Sequence, residues 1–83
     1  MPTDEPIRTD TITIIASVLH IQPEVLSAES SMATVYQWDS LSNLRILVKL
    51  EQYLEKTISL SDLVSVRTVD DWVAISKHYS AKN

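Results

Sequence analysis

The sequence predicts an all-α fold, a small bundle of three to four helices with a long first loop. The chain has 83 residues, which is enough for one domain with a single modest core. Apolar residues recur at helical spacing in three segments. One further stretch alternates as a strand would, but the rest of the chain offers it no strand partner. The same length predicts a single domain over residues 1–83, with an ordered core over about residues 5–79.

The first predicted helix covers about residues 5–19, where apolar side chains recur at helical spacing. Asp4 is a candidate N-cap for it, because a carboxylate just before a helix accepts from its first amides. Residues 11–14 alternate and are β-branched, so a strand is the competing interpretation of this segment. We favour the helix for want of strand partners.

A long connection follows, from His20 to about Trp38. Proline, serine and threonine interrupt any sustained period in it. A loop of this length in so small a domain is expected to pack across the bundle. Its predicted anchors are Val25, Leu26, Met32, Val35 and Tyr36.

The second helix has the strongest pattern, from Ser40 to Lys56. Asp39 precedes it as an N-cap whose carboxylate can accept from the amide of Leu41 or Ser42. One leucine stripe is predicted to face the core: Leu44, Leu47, Leu50 and Leu54. The opposite face is polar and carries Ser42, Arg45, Lys49 and Gln52.

Two shorter elements complete the chain. Residues 61–64 predict one short turn of helix. Residues 68–71 have the Thr-x-x-acid pattern of a helix start. The last helix continues from there with apolar residues at helical spacing: Val69, Trp72, Ile75 and Tyr79.

The composition excludes several kinds of chemical site. Glycine is absent, which removes phosphate-binding loops, dinucleotide fingerprints and the nucleophile elbow. Cysteine is absent too, so the chain has no disulfide, no thiolate metal site and no cysteine nucleophile. His20 and His78 lack the spacing of metal ligands. A serine hydrolase would need a serine, a histidine and an oxyanion hole to converge. We therefore predict no catalytic and no metal-binding residues.

Charge and hydropathy restrict partners and location. The net charge is −4, from 11 acidic and 7 basic residues, which opposes nucleic-acid binding. No apolar run approaches the roughly 20 residues of a membrane span. The N-terminal residues lack the basic and apolar regions of a signal peptide. These features predict a cytoplasmic monomer that binds neither nucleic acid nor membrane.

The most informative string is Trp38-Asp39-Ser40-Leu41, which opens the strongest helix. An Asp-Ser-Leu motif at the start of the second helix resembles the acyl carrier and peptidyl carrier protein family. Apolar residues follow Ser40 at plus four, seven, ten and fourteen, as in that family's second helix. The resemblance extends downstream to a short third helix and a Thr-Val entry to the last one. It covers about residues 12–79, most of the chain.

The resemblance implies a bundle of acyl-carrier-protein type that is not an enzyme. Ser40 would attach 4'-phosphopantetheine covalently, and Asp39 would be part of the motif as well as the helix cap. The implied partners are a phosphopantetheinyl transferase, an acyl- or aminoacyl-loading enzyme, and a downstream transferase or synthase. The placement is physically reasonable, because a helix N-terminus favours an anion by about 0.3–1 kcal/mol.

The residues around Ser40 also suggest a partner surface, formed by Leu41, Ser42, Arg45, Val48 and Lys49. Fatty-acid carriers are strongly acidic along this helix, whereas here the charges are mixed. This mixture favours a specialised pathway, such as polyketide or nonribosomal peptide assembly. Gln37 and Trp38 stand where many family members have glycine, which favours a discrete carrier over a multimodular synthetase domain. A discrete aminoacyl or peptidyl carrier is the alternative, and a cofactor-free helical interaction domain is a remote one.

Overall fold

The computed structural model describes residues 5–81, which contain a short 3-10 helix, Pro23–Val25, and four α-helices. These are α1 (Glu5–Leu19), α2 (Ser40–Leu54), α3 (Leu60–Ser65) and α4 (Val69–Ala81). The all-α prediction is confirmed. Asp4, the candidate cap of α1, lies outside the described residues.

Residues 11–14 are helical, so the strand interpretation of this segment is wrong. Tertiary packing overrides their β-branched character, because one face of α1 is buried against α4 and α2. Thr11 is fully buried on that face. Its Oγ1 donates to the carbonyl of Ile7 at 2.7 Å and lies 3.0 Å from the Oγ of Ser76 on α4. A threonine in this position therefore stabilises the α1–α4 contact.

The core lies between α1, α2 and α4, and its main side chains are Ile15, Leu19, Ile46, Leu47, Leu50, Val69, Trp72 and Val73. The prediction that Leu44 faces inward is wrong, since this side chain is 49% exposed. Ile46 is fully buried in its place. At 3.6 residues per turn, Leu44 lies about 140° around the helix from the centre of the face that Ile46 and Leu50 define.

Helix α2 ends at Leu54, two residues before the predicted end. Glu55 adopts a left-handed conformation with φ 56°, and the amide of Lys56 donates to the carbonyl of Glu51 at 3.2 Å. His20 ends α1 in the same way, with φ 59°. Glycine is the usual residue at such a position. In this chain His20 and Glu55 take the left-handed position in place of glycine.

The connection from residue 20 to residue 39 packs across the start of α4, as its length predicted. The carbonyls of Ala28 and Ser30 accept from the amides of Asp70 and Val69, at 3.0 and 2.9 Å. Leu26 and Val35 are partly buried anchors. Three other predicted anchors are wrong, because Val25, Met32 and Tyr36 are exposed. Backbone hydrogen bonds and Trp38, which is buried, hold the loop instead.

Helix α4 begins with the predicted capping box. The amide of Asp71 donates to Thr68 Oγ1 at 3.2 Å, and the amide of Thr68 donates to Asp71 Oδ2 at 3.0 Å. A hydrogen bond joins α3 to α4, because the Tyr79 hydroxyl on α4 donates to Asp62 Oδ2 on α3 at 2.6 Å.

None of the helices in residues 5–81 combines the length and apolar character needed to cross a bilayer.

Candidate functional site

Ser40 is the first residue of α2 and is exposed at the point where the long loop becomes helix. Asp39 is extended there, with φ −115° and ψ −175°. Its Oδ1 accepts from the amide of Ser42 at 2.8 Å, and its carbonyl accepts from the amide of Asn43 at 2.9 Å. The predicted cap is confirmed. It stabilises the first turn of α2, which begins at Ser40.

The hydrogen bond from the Ser42 amide holds the pKa of the Asp39 carboxyl below its usual value. A lowered carboxyl pKa means that the folded state favours the ionised form. The cap therefore stabilises the fold fully above the ordinary aspartate pKa of about 3.9. This contribution is lost as the pH falls through the lower pKa of the folded state. At neutral pH the start of α2 is fully capped.

Asn43 fixes the first turn of α2 to the rest of the bundle. Its Oδ1 accepts from the indole Nε1 of Trp38 at 3.0 Å and from that of Trp72 at 3.2 Å. All three side chains are buried. One amide oxygen therefore joins the loop before Ser40, the helix that begins at Ser40 and helix α4. Both tryptophans belong to the buried core cluster.

An open cleft of about 340 Å³ lies beside Ser40, between α2 and α3. We call it the Ser40 cleft. Its walls are mostly apolar, and its lining residues include Met32, Ser40, Leu44, Leu63, Val64 and Arg67. Arg67 Nη1 donates to the carbonyls of Val64 and Val66 at 3.0 and 3.3 Å. The cleft thus has a fixed cation in its rim and room for an apolar group.

Four of the five residues of the predicted partner surface are exposed on α2, and the surface stays a prediction. Leu41 is exposed and Ser42 is half-buried, with its hydroxyl donating to the carbonyl of Gln37 at 3.3 Å. The other three, Arg45, Val48 and Lys49, are exposed and line a separate groove against the end of α1. Within residues 5–81 there is no cluster of three or more His, Asp or Glu side chains placed to hold a metal ion.

Comparison with known proteins shows the family to which the chain belongs. The family model described as the phosphopantetheine attachment site matches residues 10–75, most of the chain. The chain belongs to this family. Among solved structures, the chain is similar to holo acyl carrier protein from Geobacter metallireducens, determined by solution NMR. The TM-score is 0.80 and the identity 26%, over 92% of this chain and 87% of that one. Comparison with curated protein sequences gives no significant match.

Family membership confirms the acyl-carrier-protein fold and the predicted cofactor class. The protein is a carrier with covalently attached 4'-phosphopantetheine, and it acts with partner enzymes and not as an enzyme itself. Carrier proteins of this family generally act with a phosphopantetheinyl transferase and with acyl-loading enzymes, the two classes of partner that were predicted. The cofactor-free interaction domain that the sequence left as a remote alternative does not hold.

Two parts of the site, Asn43 and Arg67, lie outside the sequence-based predictions. Asn43 was not singled out, although two tryptophans in a small core need an acceptor for their indole N–H groups. An amide side chain five residues after Trp38 is a signal for it. Arg67 was also missed, because its place beside Ser40 depends on how α3 packs against α2. Nothing in the local sequence around Arg67 indicates that packing.

Proposed function

We propose that Ser40 is the attachment residue and that the protein carries an acyl intermediate as a thioester on its phosphopantetheine arm. The observation that carries this proposal is the position of Ser40, exposed at the first residue of α2 and lining an apolar cleft. This position also lies inside the segment that matches the family model.

The residues around Ser40 suit a phosphodiester. The serine oxygen would attack the pyrophosphate of coenzyme A, form the phosphodiester to pantetheine, release the adenosine bisphosphate half and give up its proton. The helix N-terminus favours the resulting anion, and Arg67 supplies a cation at the rim of the same cleft. The bound arm supplies a terminal thiol, which this cysteine-free chain lacks. The chain's own task is to present the arm and shelter part of its cargo.

We further propose a specialised pathway, of polyketide or nonribosomal peptide type, with an acyl cargo. The exposed Arg45 and Lys49 on α2 support this proposal, because they set the chain apart from the acidic second helix of fatty-acid carriers. An aminoacyl or peptidyl cargo is the alternative. Mass spectrometry of the intact protein from its native cell tests both, since it measures the arm and its cargo together.

Attachment is tested with coenzyme A and a promiscuous phosphopantetheinyl transferase. The wild-type chain should gain one phosphopantetheine mass, and Ser40→Ala should gain none. Ser42→Ala is the matched control, because it removes a second serine hydroxyl from the same helical turn, and it should still be modified. Modification of Ser40→Ala, or a wild-type chain that is never modified, would overturn the assignment of Ser40.

A further inference from the structure

A second depression, larger than the Ser40 cleft, runs between the end of α1 and the outer face of α2. We call it the α1–α2 groove. Its volume is about 560 Å³. Its lining residues include Val18 and His20 from the α1 end, with Leu44, Arg45, Val48 and Lys49 from α2. Leu44 also lines the Ser40 cleft, so the two depressions share a wall.

The charge of the α1–α2 groove is opposite to that of the whole chain. No carboxylate is among its lining residues, whereas Arg45 and Lys49 both are. The chain as a whole has a net charge of −4. The groove is therefore a local positive region on an acidic protein.

The two cations have no close partner within residues 5–81, although the charge of Arg45 helps to lower the pKa of Asp39. Arg45 and Lys49 are one turn apart on α2, an arrangement of like charges that destabilises a helix slightly. Neither forms an ion pair or a hydrogen bond with any group in residues 5–81. Their charge is thus available to a binding partner, and their mutual repulsion would fall when a carboxylate approached.

The floor of the groove is apolar. Leu44 and Val48 line it, and their side chains are 49% and 50% exposed. Each is followed in the sequence by one of the two cations, Arg45 or Lys49. Val18 contributes a partly buried side chain from α1. An apolar floor flanked by cations, running along two helices, matches the recognition mode in which an amphipathic helix lies in a groove.

We propose that the α1–α2 groove binds an amphipathic helix with acidic flanks, presented by a partner enzyme that acts on the tethered cargo. The proposal rests on the proposed carrier function, because the shared Leu44 wall places such a partner next to Ser40. Arg45 and Lys49 follow Ser40 by five and nine residues, about 7 to 14 Å along the helix axis. Apolar contacts with Leu44 and Val48 would hold the helix, and the two cations would select its acidic flanks.

The test uses the full-length apo protein and two synthetic helical peptides as probes. Both have one leucine stripe, and they differ only in having glutamate or lysine at the flanking positions. In ¹⁵N-labelled protein, the glutamate peptide should shift the amide signals of Val18, His20, Arg45, Val48 and Lys49. Its affinity should fall as salt is raised, because exposed charge contacts are screened. The lysine peptide should bind more weakly.

Charge variants assign the effect to the groove. Arg45→Gln with Lys49→Gln should weaken binding of the glutamate peptide about five- to tenfold, as expected for two exposed charge contacts. Thr57→Glu with Ala74→Glu is the matched control. It lowers the net charge by the same amount at exposed positions that do not line the groove, and it should change the affinity less than twofold.

Several outcomes would overturn the proposal. These are equal binding of both peptides, shifts confined to other amides, or no binding of the glutamate peptide. Binding of phosphatidylglycerol vesicles in place of the peptide would assign the groove to a membrane surface. Loss of the groove signals with rising protein concentration would assign it to self-association. Because the probes bind the apo chain, these results are independent of whether Ser40 is modified.

Discussion

At the scale of single residues, Asn43 ties the first turn of α2, where Ser40 lies, to the core of the bundle. Its Oδ1 is the shared acceptor of two buried indole N–H groups. A buried donor without a partner costs about 1–3 kcal/mol. The side chain therefore links the geometry of the first turn of α2 to the stability of the core.

We predict that Asn43→Ala lowers the free energy of unfolding by about 2–5 kcal/mol, because it leaves two indole donors unpaired and opens a small cavity. Urea unfolding followed by tryptophan fluorescence measures this. Trp38→Phe removes one donor, so in that background Asn43→Ala should cost less than in the wild type. Equal costs in the two backgrounds would show that the Trp38–Asn43 hydrogen bond contributes nothing.

At the scale of elements, α2 presents three different surfaces. One buries Ile46, Leu47 and Leu50 against α1 and α4. A second lines the Ser40 cleft, and a third lines the α1–α2 groove. Leu44 lies at the border between the last two. Its exposed side chain therefore belongs to these two depressions and not to the core.

We predict opposite results for the same substitution at different leucines of α2. Leu47→Ala or Leu50→Ala should lower the free energy of unfolding by about 2–5 kcal/mol, because both side chains are buried. Leu44→Ala should cost less than about 1 kcal/mol, because half of this side chain is already exposed. Denaturation midpoints of the three variants measure the difference. A Leu44 variant as unstable as the other two would place Leu44 in the core.

At the scale of the whole molecule, charge is distributed unevenly over an acidic carrier. Arg45 and Lys49 lie on the helix that begins at Ser40, the proposed attachment residue, while most carboxylates lie elsewhere. Like charges at an encounter surface mainly slow association and reject wrong partners. The positive region therefore bears on which enzymes can use the tethered group.

We predict that the holo protein is a poor substrate for fatty-acid synthase enzymes, whose basic docking patches suit acidic carriers. Arg45→Glu with Lys49→Glu should raise kcat/KM with those enzymes about tenfold at low salt, and less at high salt. The same variant should weaken transfer with the native partner. Acyl-transfer kinetics at two salt concentrations measure both effects. Efficient use of the wild type by the fatty-acid enzymes, with no gain from the variant, would contradict this prediction.

The sequence by itself determined those features that depend on neighbouring residues. Helix α1 from residue 5 to 19, the Asp39 cap and the Thr68 capping box follow from local spacing and hydrogen-bonding groups. The Asp-Ser-Leu motif at the start of α2 likewise indicated the family. Such features need only one turn of chain, so a linear pattern is sufficient to predict them.

Only the tertiary structure decided which side chains of α2 are covered and by what. Leu44 and Ile46 are equally apolar, and the packing angle of α1 and α4 against α2 exposes the first and buries the second. The convergence of Trp38 and Trp72 on Asn43 joins residues 29 positions apart in the chain. Arg67 lines the Ser40 cleft although it is far from Ser40 in the sequence. In the same way, residues at the end of α1 line the α1–α2 groove together with Lys49. Such contacts depend on how helices pack together, which local periodicity does not encode.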